Sequence, residues 1–182
     1  TGEGYTLLPS SIYSAPAYQV NRILVNAYEA NDLRKASWIT QTTLYGSTYN
    51  YPSKYKNRVL VAATTEAYVM LRLADMYLVL AEAQAHLGNY SDAITNLNTV
   101  RSRAGLGGYE GTNDDLLAAI YHERQVEMAF EWGNRWYDLK RTGMIDAVLG
   151  AEKSTWKSTA ALLPIPATQV QANPNLTQND GY

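Results

Sequence analysis

The hydrophobic pattern of the chain changes near residue 70. From Leu71 onward apolar residues recur at helical spacing, with Leu71, Ala74, Leu78, Ala81 and Ala85 on one face and Leu73, Tyr77, Leu80 and Leu87 on a second. A helix apolar on two sides is expected to pack against neighbours on both. Gly88-Asn89 supplies a left-handed stop. Ser91 is placed to cap a second helix running to about Ala104, with Ile94, Leu97 and Val100 turned inward and Gly105 as its stop. Joined by Leu87-Gly-Asn-Tyr90, the two predict an antiparallel helical hairpin. A glycine-rich linker over 105–111 follows, and then Thr112 and Asp115 form a candidate capping box. That box starts a helix expected from about Asp114 to Trp132, ended by Gly133-Asn134. A further helix is expected from about Arg135 to Leu149, ending at Gly150, with Gly143 as a point of interruption.

Shifting the first hairpin by 45 residues superposes Leu71 on Leu116, Ala74 on Ala119, Glu82 on Glu127, Gly88 on Gly133, Asn89 on Asn134 and Gly105 on Gly150. This reads as two helix–turn–helix units of a stacked array, with coincident helix punctuation as the alternative. The first unit also fits the tetratricopeptide pattern. Tyr77, Leu80 and Ala81 take the first-helix packing positions; Gly88, Tyr90, Ala93 and Leu97 follow at the expected spacing, and Gln84 stands where an aromatic is usual. Two units are few for such an array, which points to further sequence or an unusual cap.

The flanks carry no such period. Residues 1–57 are rich in turn formers and in Ser, Thr, Asn and Tyr, with one short helix expected from about Tyr18 to Asn31. Tyr45 to Tyr55 reads as a loop or weak hairpin, and Val59–Ala62 as a short extended piece. Residues 151–182 read as non-helical, with Leu162-Leu-Pro-Ile-Pro166 an extended apolar strip expected to lie in a groove of the helical body. The expected architecture is mainly α. It has tetratricopeptide-like hairpins over 67–150, an irregular segment over 1–66 and a Pro-containing tail over 151–182, both packed on the helices.

Composition narrows the function. The 182 residues carry a net charge of −2, so there is no basic field to hold nucleic acid. No apolar run reaches the ~18 residues of a membrane span. Cysteine is absent, which excludes thiol catalysis, cysteine-ligated zinc and disulfides. Aromatics are lopsided, Tyr 15 and Trp 4 against Phe 1, a balance suited to half-wet surfaces. No nucleophile elbow, phosphate-binding loop, dinucleotide fingerprint or calcium loop appears, and no cofactor is expected.

Four segments together bring a family into view. They are Asn31-Asp-Leu-Arg34 with Lys54-Tyr55 downstream; Leu71-Arg-Leu-Ala-Asp-Met-Tyr-Leu78 running into Ala81-Glu-Ala83; Glu123-Arg-Gln-Val-Glu-Met-Ala-Phe130 followed by Arg135-Trp-Tyr-Asp-Leu-Lys-Arg141; and Leu163-Pro-Ile-Pro166 with Asn173-Pro174, Gln178-Asn179 and Gly181-Tyr182. Over about residues 31–182 the chain resembles the C-terminal portion of the SusD/RagB family of outer-membrane nutrient-binding lipoproteins. Gln169 and Asp180 depart from the family's usual Glu and Pro. The resemblance implies a fragment of a longer protein, lacking the lipid-anchored N-terminal Cys. It further implies a place on the extracellular face of the outer membrane of Bacteroidetes-type bacteria. There the protein would bind oligosaccharide or another nutrient, without cleaving it, and deliver it to a SusC-like TonB-dependent β-barrel transporter. The alternative is a helical-repeat protein–protein adaptor with no small-molecule ligand. A glycoside hydrolase fragment is a third class.

Two sets of residues are candidates for chemistry. Glu123, Glu127 and Glu131 lie at i, i+4 and i+8 on one helical face beside His122. A hydrolase needs two carboxylates facing each other across a cleft, and a zinc helix needs a second His, so neither a catalytic nor a metal site is expected. The expected role is a structural ion network of Glu123, Arg124, Glu127, Arg135, Asp138 and Arg141, which ties helices together through bidentate pairs. The candidate ligand platform is Trp38, Tyr45, Tyr49, Asn50 and Tyr51: sugar rings present apolar C–H faces on which aromatic rings stack, while amides hold hydroxyls. A wet interface or edge strand is the alternative for these rings. Trp156 is a weaker candidate, and Trp132 and Trp136 are expected to pack the second hairpin.

Overall fold

The structure is a computed structural model that describes residues 2–58 and 65–182. The extended piece expected at Val59–Ala62 lies outside the described residues. The chain separates into two compact units, one up to Trp132 and one from Gly133.

The first unit opens with short elements, only some of which the sequence pattern signals. They are α1 (Gly2–Leu7), α2 (Arg22–Ala27) and α3 (Leu33–Trp38), followed at once by β1 (Ile39–Leu44) and β2 (Ser47–Pro52). Six residues hold fewer than two turns, too short to display a 3.6-residue period. Local caps define α2 and α3. The Asn21 side chain accepts from the Ile23 amide, and the Asp32 side chain accepts from the Arg34 amide. The helix expected over Tyr18–Asn31 is therefore much shorter, and Asn31 takes a left-handed φ of 68° just before α3.

β1 and β2 form an antiparallel hairpin, with Ile39 opposite Pro52, Thr42 opposite Tyr49 and Leu44 opposite Ser47. Its two-residue turn is Tyr45-Gly46, with φ of 49° and 77°. Two positive φ values match the right-handed strand twist, which is why the turn closes tightly. The Val20 amide donates to the Asn50 carbonyl at 2.8 Å, so the chain before α2 covers the free edge of β2.

Helices α4 (Leu73–His86), α5 (Tyr90–Arg103) and α6 (Leu116–Glu127) form the core of this unit. Leu78, Ala81, Ala85, Ala93, Leu97, Val100, Leu116 and Ile120 close it. Ala81 and Ala93 are fully buried, and their small side chains let α4 and α5 approach as the tetratricopeptide pattern requires. α4 ends in a Schellman motif. The Asn89 amide reaches the Gln84 carbonyl at 2.9 Å, and the Gly88 amide reaches Ala85 at 3.1 Å, with Gly88 at φ 77°. Asn89, not Ser91, is the residue that precedes α5. Only half of the expected capping box forms: Thr112 Oγ1 accepts from the Asp115 amide, but the Asp115 carboxylate accepts from the Thr112 hydroxyl rather than from its backbone amide, and the helix itself starts at Leu116. On the first face Leu78, Ala81 and Ala85 are buried and Ala74 is half-buried, but Leu71, ahead of the helix, is exposed, as are Leu73, Leu80 and Leu87 on the second face.

Two helices are shorter than expected. α6 stops at Glu127 rather than Trp132, because Phe130 and Trp132 turn to φ of 66° and 46°. In the second unit, the helix expected over Arg135–Leu149 is two helices, α7 (Asn134–Arg141) and α8 (Ile145–Glu152). Gly143 at φ 70° makes the break, again as a Schellman motif, with the Met144 amide on the Leu139 carbonyl at 2.9 Å. Leu139, Ile145 and Leu149 form the small core of this unit, covered by Trp136 and Trp156.

The tail is more ordered than its composition suggests. A 3₁₀ turn spans Ser158–Ala161, and α9 spans Ala167–Ala172. The strip between them is held by the tail itself. Gln178 accepts from the Ile165 amide and donates to the Ile165 carbonyl, at 2.8 and 2.9 Å. Asn179 donates to the Leu163 carbonyl at 2.7 Å and Tyr182 to the Leu162 carbonyl at 3.0 Å. Side-chain amides can satisfy this strip because its prolines remove the donors a strand partner would need.

Candidate ligand-binding clefts and the buried ion network

The hairpin sorts the candidate platform by simple alternation. Thr40, Thr42, Tyr49 and Tyr51 share one face of the ribbon, and Ile39, Gln41 and Asn50 share the other. Each face borders its own cleft. The first, about 340 Å³, is lined by Leu8, Pro9, Ser11, Ile12, Ser14, Thr42, Tyr51 and Arg58. The second, about 530 Å³, is lined by polar groups that include Glu29, Asn31, Asp32, Lys35, Gln41 and Asn50. Both fall within the usual size of small-molecule sites. The five platform residues are thus not brought together. Tyr51 faces the first cleft, Asn50 faces the second and hydrogen-bonds Gln41 at 3.2 Å, and Tyr45 stands at the turn, 95% exposed. Tyr49 is half-buried on the Tyr51 face.

Trp38 has a different environment. The Lys54 ammonium sits 3.8 Å from its ring centroid, a cation–π contact that occupies one face of the indole. Lys54 also donates to the Glu127 carbonyl at 2.7 Å and pairs with Glu131 at 3.1 Å. Burial pushes the Lys54 amine down to about 8, against the opposing pull of Glu131.

The first cleft contains a feature that the sequence reading missed. Arg58 lies in its wall, with the guanidinium 4.5 Å from the Tyr5 ring and Nε donating to the Leu8 carbonyl at 3.3 Å. The only sequence signal was an arginine close to the Lys54-Tyr55 motif. The residues opposite it come from the segment around α1, which showed no periodicity.

Beneath the hairpin, Glu123 and Glu127 are fully buried. Arg34 is at their centre. Its Nη1 reaches Glu123 at 2.6 Å and Glu127 at 2.9 Å, and its Nη2 reaches Asp32 at 2.7 Å. Arg72 pairs with Glu127 at 2.6 Å and Glu131 at 3.0 Å. Arg101 joins Glu123 to Glu29, and Arg103 caps Glu127 from the surface. Among the described residues Arg34, Lys54, Arg72, Arg101 and Arg103 thus meet Glu29, Asp32, Glu123, Glu127 and Glu131 in one connected network. Among the described residues every buried side-chain polar atom has a partner. Burial alone would raise the Glu127 carboxyl, but hydrogen bonds from Arg72 and Arg34 outweigh it and hold the group below the ordinary range. For Glu123, burial wins over Arg34 and Arg101, and its carboxyl is raised. Carboxylates this enclosed cannot reach a substrate; they fix α3, α4, α5 and α6 to one another.

The expected network is therefore divided. Glu123 and Glu127 have arginine partners from α3, from the segment before α4 and from α5, and Arg124 pairs with Asp75 of α4 at 2.8 Å. Asp138 and Arg141 pair at 2.8 Å within α7, and burial lowers the Arg135 guanidinium in that unit. The central cation, Arg34, was visible only as part of the Asn31–Arg34 motif. Aromatics tie in the rest: Tyr55 and Tyr68 rings lie 5.2 Å apart, and Tyr68 and Trp132 lie 4.7 Å apart. Trp136 meets Trp156 edge-on at 6.1 Å. Among the described residues no group of His, Cys, Asp and Glu is placed to hold a metal ion, and no helix is long and apolar enough to cross a membrane.

Residues 14–182 match the model of the SusD family. The chain belongs to the SusD family. SusD-like protein P25 of Formosa agariphila is 32% identical over 171 residues, spanning 84% of this chain and 32% of its own length. SusD-like protein P2 of the same organism is 34% identical over 131 residues, spanning 63% of this chain and 26% of its own. The chain thus covers about a quarter to a third of these curated relatives. Among solved structures, a SusD homolog from Bacteroides thetaiotaomicron superposes with a TM-score of 0.75 at 22% identity over 98% of this chain and 42% of that one, a likeness of fold. The surface glycan-binding protein A of the same species superposes with a TM-score of 0.73 at 25% identity, over 98% of this chain and 46% of that one. The SusD-family fold accounts for the tetratricopeptide-like hairpin of α4 and α5 as a helical architecture.

Proposed function

We propose that the chain is part of a cell-surface protein that binds oligosaccharide without cleaving it. In this reading it lies on the outer face of the outer membrane, held by a lipid anchor, and passes its ligand to a SusC-like TonB-dependent transporter. The first cleft is the observation that carries the reading. Tyr51 offers an aromatic face, Leu8, Pro9 and Ile12 offer an apolar wall, and Ser11, Ser14, Thr42 and Arg58 offer polar groups. That mixture of a dry wall with a few convergent polar groups is the general form of a small-molecule site. Membership of the SusD family and likeness to a surface glycan-binding protein support the same chemistry. Binding without cleavage is supported by the pairing of the fully buried Glu123 and Glu127 with arginines, which gives these two carboxylates a structural role.

The adaptor reading draws support from one feature, the exposed Leu73, Met76, Val79 and Leu80 on α4. An apolar stripe of that kind suits another helix. The test is retention of the full chain on a panel of immobilised oligosaccharides, with the sugars analysed afterwards. Retention with intact chain length supports binding without cleavage. No retention, or newly released reducing ends, overturns it.

A further inference from the structure

The cleft beside Tyr51 has a charge asymmetry that specifies its ligand further. Its lining residues are Leu8, Pro9, Ser11, Ile12, Ser14, Thr42, Tyr51 and Arg58, so among the described residues Arg58 alone brings a formal charge to the wall. Among the described residues Arg58 makes no ion pair. Its Nε donates to the Leu8 carbonyl at 3.3 Å, and its guanidinium lies 4.5 Å from the Tyr5 ring. Glu66, eight residues along the chain, accepts from the backbone amides of Lys56 and Asn57 at 2.7 and 3.2 Å. Five other arginines of this unit, Arg34, Arg72, Arg101, Arg103 and Arg124, each have carboxylate partners. A guanidinium has five donors in a planar fork, and one spent on Leu8 leaves the paired Nη groups for another acceptor. The half-buried position beside Leu8, Pro9 and Ile12 lowers the local dielectric and strengthens an ionic contact.

We propose that the cleft takes an acidic saccharide, one whose ring bears a carboxylate or a sulfate ester, with Arg58 holding that anion and Tyr51 stacking on the ring. The proposal rests on the oligosaccharide-binding reading above and names the substrate class. Ser11 and Ser14, whose hydroxyls lie 2.9 Å apart at the rim, are placed for the ring hydroxyls. The second cleft differs in this respect, since it contains Glu29 and Asp32 as well as Lys35. Acidic sugars are therefore assigned to the Tyr51 side of the hairpin and not to the Asn50 side.

Calorimetric titration of the full chain with uronic-acid oligosaccharides, the same oligosaccharides as methyl esters, sulfated oligosaccharides and neutral ones tests this directly. One acidic class is expected to bind about tenfold or more tighter than its esterified or desulfated counterpart, as a charge-assisted hydrogen bond would give. Preference for the uronates identifies a carboxylate site, and preference for the sulfated class identifies a sulfate site. Arg58→Gln is expected to erase the preference. Because Arg58 also braces Leu8 and Tyr5, the ester comparison on the unaltered chain stands even where that variant folds poorly. Equal affinity for acidic and neutral forms overturns the acidic-ligand proposal and leaves oligosaccharide binding intact. Binding to none of the four classes overturns both.

Discussion

Replacing Arg34 by alanine removes the cation on which the buried network converges. Arg34 is 3% exposed and bonds Asp32, Glu123 and Glu127 at once. In its absence Glu127 keeps Arg72 and Arg103, so it remains paired. Glu123 keeps only Arg101, at 3.4 Å, and the Asp32 carboxylate keeps only the backbone amide of residue 34. One fully buried carboxylate and a second nearly buried one are thus left short of positive charge. Breaking a buried ion pair from one side costs about 3–5 kcal/mol, most of it the penalty of the stranded charge. Against a total stability of roughly 5–15 kcal/mol for a domain, that is about a fifth or more. Arg103→Ala is the control. It removes another partner of Glu127, but the arginine side chain is 51% exposed and the cost should stay below about 1 kcal/mol. Urea unfolding followed by tryptophan fluorescence and circular dichroism measures both. The sign of the pH response adds a second check. Glu123 already has a raised carboxyl, and losing Arg34 raises it further. A raised folded-state carboxyl takes up a proton on folding, so stability is recovered as the pH falls, and the gap between variant and parent should narrow as the pH is lowered. A loss below about 1 kcal/mol, or one equal to that of Arg103→Ala, would refute the reasoning, because burial would then not be setting the cost.

Other outcomes follow from single residues. Burial brings the Lys54 amine to about 8, well below its unfolded value of about 10.4. Between those two values the unfolded chain binds more protons, so Lys54 should make stability rise with pH across about 8–10.4, by on the order of 3 kcal/mol at most. Lys54→Met should flatten that rise in unfolding curves taken across the same window, and an unchanged slope would count against it. Tyr45 holds a φ of 49° at the turn, a region that asparagine enters more easily. Tyr45→Asn should therefore raise the melting temperature, by up to about 1 kcal/mol of stability, and leave glycan retention unchanged, since Tyr45 stands outside both clefts. A drop in retention would place the turn in the binding site.

The helical half of the fold was legible because its signals are long or rigid. Fourteen-residue helices such as α4 and α5 display their period plainly, and Gly88 and Gly143 announce breaks that non-glycine residues make at a cost. Alanines at 81 and 93 marked the close helix approach before any coordinates. The misses are equally specific. α1, α3 and α9 have six residues each and are set by a side-chain cap or by tertiary contacts, which periodicity does not reveal, and α2, expected over Tyr18–Asn31, is cut to six residues. α6 was read five residues too long because Met128 to Trp132 are good helix residues whose backbone is turned by its surroundings. The acidic ladder of α6 pointed to an ion network, and its cations come from Arg34, Arg72 and Arg101, far away in sequence. The platform residues were chosen by chemistry alone; strand alternation then sends Tyr51 and Asn50 to opposite sides. Arg58 could not be singled out, because its neighbours in the cleft come from residues 8–14 and from β1 and β2.

The central claim is that the Tyr51 cleft binds oligosaccharide, and Tyr51→Ala tests it most directly. Affinity for whichever oligosaccharide the full chain retains would be measured by calorimetry for parent and variant, with melting temperature recorded alongside. A ring that stacks at the centre of a binding site contributes about 1.4 kcal/mol or more, so at least about a tenfold loss of affinity with little change in melting temperature is expected. Unchanged affinity in a folded variant would contradict the account.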